Sequence, residues 1–490
     1  MKTFIVFAIT LITFQNLLAQ NVGIGTSTPA EKLDVNGHIK TSGELKPNGA
    51  AGQAGQVLTS NGNGTMQWSS ATGSNNNNNN SSIIGYGTWG GCEMNNITDL
   101  FPVSDSTGYY NESFGATVAI SGDYAIIGNS ADDEVGFPDA GSVMIFRRNP
   151  ASGAWEKQVK FSNPSPASDD QFGASVAING IYAVVGAPNN DVSGLTDNGA
   201  IYVYKRDVST GTWSFMAMLY DQSAQNGDQF GWSVAIDGDY IAVGAPSDDV
   251  GLDRDAGTIA MYKRNAVFDI WEYLQKITDP VVRSLELFGY SVAMSGDELI
   301  VGAPYDAELN NGTSAGINGT ATMFKRNVST SLWQTTATFP GAAHGEAYGY
   351  AVSISGNNAM IAAPEADAYQ CTDCGAVRFL TKNAAGNWVQ GFTIINEEIT
   401  NTNFGGAVSI SGDYAIIGND SSNAYKGQAS VYRRMNNVWV LLQKFSNPYP
   451  PIGSLNGYFG RGVAIDGVTK RFLVGAPRFY FGMGFFGKVN

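Results

Sequence analysis

The acidic loop between Asp248 and Asp255 is the segment of this sequence best suited to bind a metal ion. It reads Asp248-Asp249-Val-Gly-Leu-Asp253-Arg-Asp255, so four carboxylates lie within eight residues. Calcium takes six to eight oxygen ligands, many of them from aspartate. The spacing therefore predicts a calcium site at these four aspartates. The structural alternative is that aspartate forms turns and keeps secreted proteins dispersed.

Residues suited to catalysis are sparse. The two histidines, His38 and His344, each stand alone in the sequence. Gly312-Thr-Ser314-Ala-Gly316 matches the spacing of a nucleophile elbow, but that motif needs a strand–turn–helix and a histidine partner. Here it falls in a long polar loop, and no phosphate-binding Gly-Lys-Ser motif occurs. We therefore expect no catalytic residues, no organic cofactor and no enzymatic activity.

The loops that hold these side chains belong to a repeat. A phrase that begins with an aromatic residue and glycine occurs seven times, with starts 58, 58, 58, 60, 56 and 55 residues apart. The seven starts are Phe114, Phe172, Phe230, Phe288, Tyr348, Phe404 and Phe459. A regular period of this size indicates stacked or radially arranged units.

Each of the first six repeats contains four β-prone runs. In the third copy these are 230–236, 240–245, 258–262 and 271–277. Asp237-Gly-Asp239 forms a tight turn between the first two runs, and Pro246 ends the second because proline cannot donate to a sheet. A tryptophan opens the fourth run in most copies, where it can pack between sheets. Four strands in about 58 residues indicate one propeller blade.

The repeat resembles the FG-GAP repeats of integrin α subunits. The resemblance rests on the Phe-Gly starts and on Gly-Ala-Pro at 186–188, 244–246, 302–304 and 475–477, and it covers residues 86–490. It implies an all-β fold, a seven-bladed β-propeller of four-stranded blades. Integrin-type repeats often carry a calcium loop between strands one and two. The turns here, such as Ser121-Gly-Asp123, are too short to supply those ligands, so these calcium sites do not carry over.

The seventh copy is short, because only 485–490 remain for a third strand after Gly475-Ala-Pro477. The run Ile97-Thr-Asp-Leu-Phe101, before the first repeat, resembles a detached fourth strand. We expect this strand to complete the last blade and close the ring, which would remove exposed sheet edges. The alternative is an open, incomplete blade.

Residues 1–20 predict a secretory signal peptide, because Lys2 precedes an apolar run too short to span a membrane. We expect a secreted or cell-surface protein without a transmembrane segment. In that setting Cys371-Thr-Asp-Cys374 favours a local disulfide, since a zinc site needs four ligands and a thioredoxin-like site needs a βαβ unit. Cys92 is left over. A net charge of −15 argues against nucleic-acid binding.

Two further segments precede the repeats. Residues 21–70 form a Gly-rich stalk with alternating apolar residues, which resembles stalks of Bacteroidota surface proteins. Such a stalk is too short to fold alone, and we consider an oligomer formed through it. Residues 71–85, rich in Asn and Ser, predict a polar linker between stalk and propeller.

Strand alternation sorts the loops onto two faces. The two–three and four–one loops share one face, and they are longer, more varied and rich in acidic residues. The other face has turn acids such as Asp123 and Asp239 that could pair with basic residues ending strand three, such as Arg148 and Arg264. We interpret most of those basic residues as solvated charges that discourage edge pairing.

These patterns favour a non-catalytic recognition or adhesion module that binds a protein or glycan ligand through the acidic loop face, with calcium as a candidate aid. A lectin-like propeller is the first alternative. An enzyme or enzyme accessory is the second, and a site built at one blade in the central funnel would support it.

Overall fold

The computed structural model describes most of the repeats and five short strands before them. The described residues are 22–24, 33–35, 56–60, 66–70, 101–103, 113–307, 309–310, 313–314, 318–343, 345–367, 372–396, 402–421, 427–447, 457–477 and 483–489. The predicted signal peptide (1–20), the linker (71–85), Cys92, Cys371 and both histidines lie outside these ranges. The described part of the chain contains no helix long and apolar enough to cross a membrane.

The chain divides into two units, Met1–Glu93 and Met94–Asn490. In the first unit the described residues, all within the predicted stalk, form two small sheets. Strands β1 (Val22–Ile24) and β2 (Leu33–Val35) pair in parallel, and β3 (Gln56–Ser60) pairs antiparallel with β4 (Met66–Ser70).

The second unit consists of seven four-stranded antiparallel sheets, which confirms the predicted propeller of seven blades. Its first strand, β5 (Phe101–Val103), belongs to the last blade. The next three blades are blade 1 with β6 (Thr117–Ser121), β7 (Tyr124–Asn129), β8 (Ser142–Arg148) and β9 (Trp155–Ser162); blade 2 with β10 (Ser175–Asn179), β11 (Tyr182–Ala187), β12 (Ala200–Arg206) and β13 (Trp213–Leu219); and blade 3 with β14 (Ser233–Asp237), β15 (Tyr240–Ala245), β16 (Thr258–Asn265) and β17 (Ile270–Ile277).

Blades 4 to 7 repeat the plan. They are blade 4 with β18 (Ser291–Ser295), β19 (Glu298–Ala303), β22 (Thr320–Arg326) and β23 (Trp333–Pro340), plus a hairpin of β20 (Leu309–Asn310) and β21 (Thr313–Ser314) in its two–three loop; blade 5 with β24 (Val352–Ser355), β25 (Asn358–Ala363), β26 (Ala376–Lys382) and β27 (Trp388–Ile395); blade 6 with β28 (Phe404–Ser411), β29 (Tyr414–Asn419), β30 (Gln428–Met435) and β31 (Val438–Ser446); and blade 7 with β32 (Val463–Asp466), β33 (Arg471–Ala476), β34 (Met483–Lys488) and β5.

The ring is closed. Each first strand contacts the first strand of the next blade, and β32 contacts β6, so the seven first strands surround the central axis. Strand β5 pairs antiparallel with β34, with Phe101 opposite Phe486 and Val103 opposite Gly484. The prediction that an N-terminal strand completes the last blade is therefore confirmed, although this strand begins where the predicted run ends. An open seventh blade is excluded.

The hydrophobic core lies between neighbouring blades. One cluster joins Ile126 of blade 1 to Val185 and Tyr202 of blade 2, all of them buried. The tryptophan that opens a fourth strand packs against a tyrosine of the preceding blade, as in Tyr124–Trp213, where the ring centroids lie 5.8 Å apart. Such interdigitation is possible because both faces of strands two and three are apolar, so each blade is buried between two others.

Paired glycines explain the repeated phrase. The glycine after each aromatic residue has a positive φ, 95° at Gly231, a conformation that glycine adopts without strain. A Cβ at Gly186 would lie only 2.0 Å from the carbonyl oxygen of Gly231 in the next blade. The same approach joins Gly475 to Gly115 where the ring closes. Phe-Gly of one blade and Gly-Ala-Pro of the preceding blade therefore form one seam of close backbone contact.

The blade 5 copy departs from this rule, since it has Ala362 in place of the glycine. A Cβ on the facing Gly405 would lie 3.1 Å from the Cβ of Ala362. The pairing of β28 with β29 is irregular between Phe404 and Val408, next to this contact. The extra methyl group is thus accompanied by a local change of register.

The second basic residue that ends strand three is ion-paired in blades 1, 3, 4 and 6, which corrects the interpretation of these residues as solvated charges. The first basic residues Arg147, Lys325 and Arg433 are exposed. The guanidinium of Arg148 pairs with Asp123 (2.8 Å) and that of Arg264 with Asp239 (2.7 Å), as the predicted turn-acid pairs require. Arg264 also lies over the ring of Tyr182 in the preceding blade, 5.5 Å from its centroid. Arg264 therefore ties two blades together, because its cation packs on an aromatic face across the boundary.

Candidate functional site

The acidic residues of the two–three loops have two different environments. The first acid of the loop is buried and bonded within its own blade. In blade 3, Asp248 accepts hydrogen bonds from Thr258 Oγ1 (2.6 Å) and contacts Lys276 Nζ (2.5 Å). In blade 1, Asp132 bonds Ser142 and Lys160 in the same way. These carboxylates hold the loop to the sheet and are not displayed on the loop face.

The second acid closes the loop upon itself. Its side-chain oxygen accepts a hydrogen bond from the backbone N–H of an aspartate six residues later, which has a positive φ. The same bond occurs in four blades, at Asp133–Asp139, Asp191–Asp197, Asp249–Asp255 and Asp367–Asp373, with distances of 2.9 to 3.0 Å. Much of the acidic pattern is therefore a loop-closing device, because an aspartate side chain can replace a backbone acceptor in a turn.

The four predicted calcium ligands have separate partners. Asp248 is buried against Lys276 and Thr258, whereas Asp249 Oδ1 accepts the N–H of Asp255. Asp253 accepts a hydrogen bond from Ser284 Oγ (3.0 Å). Within the described ranges, no group of three or more Asp, Glu, His or Cys side chains is arranged to hold a metal ion. A calcium site in this loop stays a prediction for experiment.

Cys374 is buried and forms a disulfide. Its predicted partner Cys371 lies outside the described residues, so the local pairing stays a prediction.

Two carboxylate clusters lie where a four–one loop meets the next blade. The blade 3 cluster is Asp221, Asp228 and Asp248, and Lys276 contacts both Asp221 (3.0 Å) and Asp248. Burial raises the pKa of Asp228 to about 6. Lys276 lies between two carboxylates, so one cation offsets the negative charge of both.

The blade 4 cluster is Asp279, Glu286 and Asp306, each at most 5% exposed. Arg283 Nη1 bonds Asp306 at 2.6 Å. Neither carboxylate oxygen of Glu286 has a hydrogen-bond partner in the described part of the chain, and Asp279 Oδ2 also lacks one. Burial, followed by the charge of Asp279, raises the pKa of Glu286 to about 8, and burial raises that of Asp279 to about 6. Glu286 is therefore largely protonated at neutral pH.

A different set of residues surrounds the central axis at the loop face. The residue after each Phe-Gly pair donates its backbone N–H to the carbonyl three residues earlier, and this turn occurs in all seven copies. The seven positions are therefore equivalent. They are occupied by Ala116, Ala174, Trp232, Tyr290, Tyr350, Gly406 and Arg461. They stand at the start of the innermost strands, on the side of the four–one loops, and so border the mouth of the central channel.

Three consecutive blades place aromatic rings at this mouth. The ring centroids of Trp232 and Tyr290 lie 5.5 Å apart, and those of Tyr290 and Tyr350 lie 5.1 Å apart, each pair inclined by 47°. Tyr305, from the two–three loop of blade 4, adds a fourth ring 6.4 Å from Tyr290. We call Trp232, Tyr290, Tyr305, Tyr350 and Arg461 the mouth cluster.

Arg461 supplies the charge of the mouth cluster. Its guanidinium pairs with Asp420 of blade 6 at 3.0 Å, yet its side chain remains 49% exposed. Burial opposes the charge on Arg461, but Asp420, Tyr350 and Tyr290 outweigh that cost and raise its pKa. Because Tyr290 belongs to blade 4 and Arg461 to blade 7, the arginine faces the aromatic residues across the channel. A fixed cation opposite an aromatic wall is an arrangement suited to ligand binding.

Comparison with known proteins identifies the repeat. The FG-GAP repeat family matches residues 104–146, 155–204, 213–259 and 271–317. Four FG-GAP repeats run through blades 1 to 4. The remaining three copies form blades with the same strand order. No curated protein matches the chain.

Two solved structures share a distant likeness with the FG-GAP propeller. A protein of Bacteroides uniformis, provisionally named a 6-phosphogluconolactonase, is 12% identical with a TM-score of 0.46, covering 68% of this chain and 84% of its own. A protein of Bacteroides fragilis with the same provisional name is 13% identical with a TM-score of 0.45, covering 76% of this chain and 88% of its own. These values are too low to support any statement about activity.

The sequence analysis did not single out the mouth cluster. The FG-GAP repeat contains the necessary signal, since the residue after each Phe-Gly changes from alanine to an aromatic in blades 3 to 5 and to Arg461 in blade 7. These seven equivalent positions become informative only once their place beside the central axis is known. The predicted acidic loops lie on the same face, and Glu365, next to Ala366 in the blade 5 loop, acts electrostatically on Tyr305.

Proposed function

We propose that this protein is an exported, non-catalytic recognition module. It binds a protein or cell-surface ligand through the face formed by the two–three and four–one loops, with the mouth cluster at the centre of the binding surface. The predicted signal peptide at 1–20 supports export, and the net charge of −15 makes nucleic acid an unsuitable partner. The stalk (21–70) offers a route to an oligomer, which would add avidity to a weak single site.

The mouth cluster is the observation that carries this proposal. FG-GAP blades repeat one another where they pack, but they differ where they face the axis, as Trp232, Tyr290 and Tyr350 show beside Ala116 and Ala174. Packing does not require this difference, because the small residues occupy equivalent positions in equally regular blades. Partly exposed aromatic residues with a charged neighbour are typical of binding hot spots.

The carboxyl groups near the loop face support catalysis less well than the mouth cluster supports binding. The strongest pKa perturbation among the described carboxylates, at Glu286, belongs to a side chain that is 1% exposed. A general acid must reach its substrate within hydrogen-bonding distance. We therefore assign binding to the mouth cluster and a structural role to the buried carboxylates.

The test is binding of the fluorescently labelled full chain to intact cells, compared between Tyr350→Ala and Tyr273→Ala. Tyr350 belongs to the mouth cluster, whereas Tyr273 is 57% exposed on the fourth strand of blade 3. We expect saturable binding that Tyr350→Ala weakens about tenfold, the loss of one hot-spot side chain, and that Tyr273→Ala leaves unchanged. Equal binding by both variants, or turnover of a surface component by the wild type, would contradict the proposal.

A further inference from the structure

We propose that the mouth cluster binds a neutral saccharide. This inference rests on the recognition function proposed above and specifies the chemical class of the ligand. It depends on three properties of the mouth: the arrangement of its rings, the small residues opposite them, and its balance of charge.

The rings form a curved wall. Successive rings incline by 47° from Trp232 to Tyr290 and again from Tyr290 to Tyr350. This angle is close to the rotation of about 51° that relates adjacent blades in a seven-membered ring. The rings therefore follow the curvature of the propeller and do not stack flat on one another. A curved aromatic wall suits a ligand with extended C–H faces, which the negative faces of aromatic rings attract.

The opposite side of the mouth carries small residues on either side of Arg461. Blades 6, 1 and 2 carry Gly406, Ala116 and Ala174 at the positions that hold rings in blades 3 to 5. The mouth is thus asymmetric, with an aromatic wall on one side and Arg461 among small residues on the other.

The charge of the mouth disfavours an anion. The guanidinium of Arg461 is already neutralised by Asp420, which Asn403 Nδ2 holds through a hydrogen bond of 2.7 Å. Glu365 adds a negative charge beside Tyr305. A carboxylate or phosphate ligand would have to displace Asp420 from Arg461 and approach Glu365, and both steps cost free energy. A cationic ligand would meet the half-exposed guanidinium.

A neutral polyol satisfies these groups better than an apolar side chain does. The half-exposed guanidinium of Arg461 and the tyrosine hydroxyl groups present polar atoms that lose water when a ligand covers them. An apolar peptide side chain would leave these atoms without partners, whereas sugar hydroxyl groups can accept from Arg461 and form hydrogen bonds with the tyrosine hydroxyl groups. Aromatic stacking and paired hydrogen bonds together point to a pyranose ring.

The first experiment uses isothermal titration calorimetry with the full chain. The probes are cellotetraose, mannotetraose, xylotetraose and chitotetraose, with tetragalacturonate as the anionic control. We expect at least one neutral probe to bind saturably, and tetragalacturonate to bind at least about tenfold more weakly. Tyr350→Ala and Arg461→Gln should each weaken binding about tenfold, while Tyr273→Ala should not. Thermal unfolding of every variant confirms that the propeller is folded.

The second experiment covers sugars absent from that set. Cells that bind the labelled chain are oxidised with mild periodate, which cleaves the vicinal diols of saccharides, and binding is measured again. Loss of binding after oxidation supports the proposal. Binding that survives oxidation overturns the saccharide proposal. In that case the recognition function still stands if Tyr350→Ala weakens the binding. Tighter binding of tetragalacturonate than of every neutral probe also overturns it. If Tyr350→Ala affects no binding at all, both proposals fail.

Discussion

The carboxylate clusters of blades 3 and 4 occupy the same place in consecutive repeats but hold their charge differently. In blade 3, Lys276 from the fourth strand contacts two of the three carboxylates. In blade 4 the equivalent position on the fourth strand is Thr338, since Lys276 pairs with Ala260 and Thr338 with Thr322 at matching steps of the third strand. Arg283 contributes a cation from the loop, where it bonds Asp306.

Local hydrogen bonds and a nearby cation together decide how far burial raises the pKa of a carboxyl group. At equivalent positions of the two clusters, burial raises the pKa of Asp279 to about 6, whereas the pKa of Asp221 lies below its usual value. Burial alone would raise the pKa of Asp221, but hydrogen bonds from Ser223 and the charge of Lys276 outweigh it. Both sites remove carboxyl groups from water, which raises their pKa values. The hydrogen bonds and cations that oppose this rise differ between the two sites.

The largest effect is expected from Lys276→Met, which breaks the compensated cluster. Asp221 and Asp248 would then be buried without their cation, and we expect the free energy of unfolding to fall by about 3 kcal/mol. Urea denaturation at pH 7 measures the change. Lys157→Met is the matched control because Lys157 is exposed on the fourth strand of blade 1. A loss no larger than that of the control would show that Lys276 is not required for compensation.

Glu286→Gln tests the uncompensated cluster through its pH dependence. Because the pKa of Glu286 is higher in the folded state, the folded protein keeps a proton that the unfolded chain releases between about pH 5 and pH 8. Wild-type stability should therefore fall as the pH rises through this window, by up to about 1.4 kcal/mol per pH unit.

The glutamine variant cannot release that proton, so its stability should fall less over the same range. Urea midpoints at pH 5, 6, 7 and 8 make the comparison, with Glu272→Gln on an exposed site of blade 3 as the control. Parallel curves for wild type and Glu286→Gln would refute the assignment of the proton to Glu286.

Thr338→Lys introduces into blade 4 the cation that Lys276 provides in blade 3. A lysine at this position should compensate Asp279 and Glu286, and we expect it to lower the pKa of Glu286 by about one pH unit. The pH at which stability begins to fall would move down accordingly. Gln334→Lys adds the same charge elsewhere on this strand and should leave the profile unchanged. An identical shift in both variants would indicate a general charge effect.

The smallest effect concerns the calcium site predicted at Asp248, Asp249, Asp253 and Asp255 in the loop of blade 3. A weak site would raise thermal stability by about 1 kcal/mol when the calcium concentration is several times Kd. Thermal unfolding with calcium and with a chelator measures it, and Asp253→Asn should remove the shift. Equal midpoints in calcium and chelator would exclude a stabilising site in this loop.

The sequence was sufficient for the blades because their signal is local and repeated. Phe-Gly, Gly-Ala-Pro and the turn acids recur at a fixed spacing, and each contact they make recurs with them, as Gly186–Gly231 and Arg264–Asp239 show. Ring closure was also predictable, because the seventh copy lacks a fourth strand and Phe101–Val103 provides one.

The environments of the acids were not predictable from their spacing. Asp248 and Asp249 are adjacent in the sequence, but one is buried against Lys276 and the other closes a surface loop. Burial depends on elements 20 to 60 residues away, which alternation and composition do not reveal. The mouth cluster shows the same limit, since Arg461 and Tyr290 approach each other only through the curvature of the whole ring.

The pairing of Phe101–Val103 with Met483–Lys488 joins the beginning and the end of the propeller in one sheet. A ribosome makes β5 first and its partner β34 last, so β5 has no neighbour during almost the entire synthesis of the domain. Closure is therefore the final step of assembly, and the chain stays an open array of blades while it is being made.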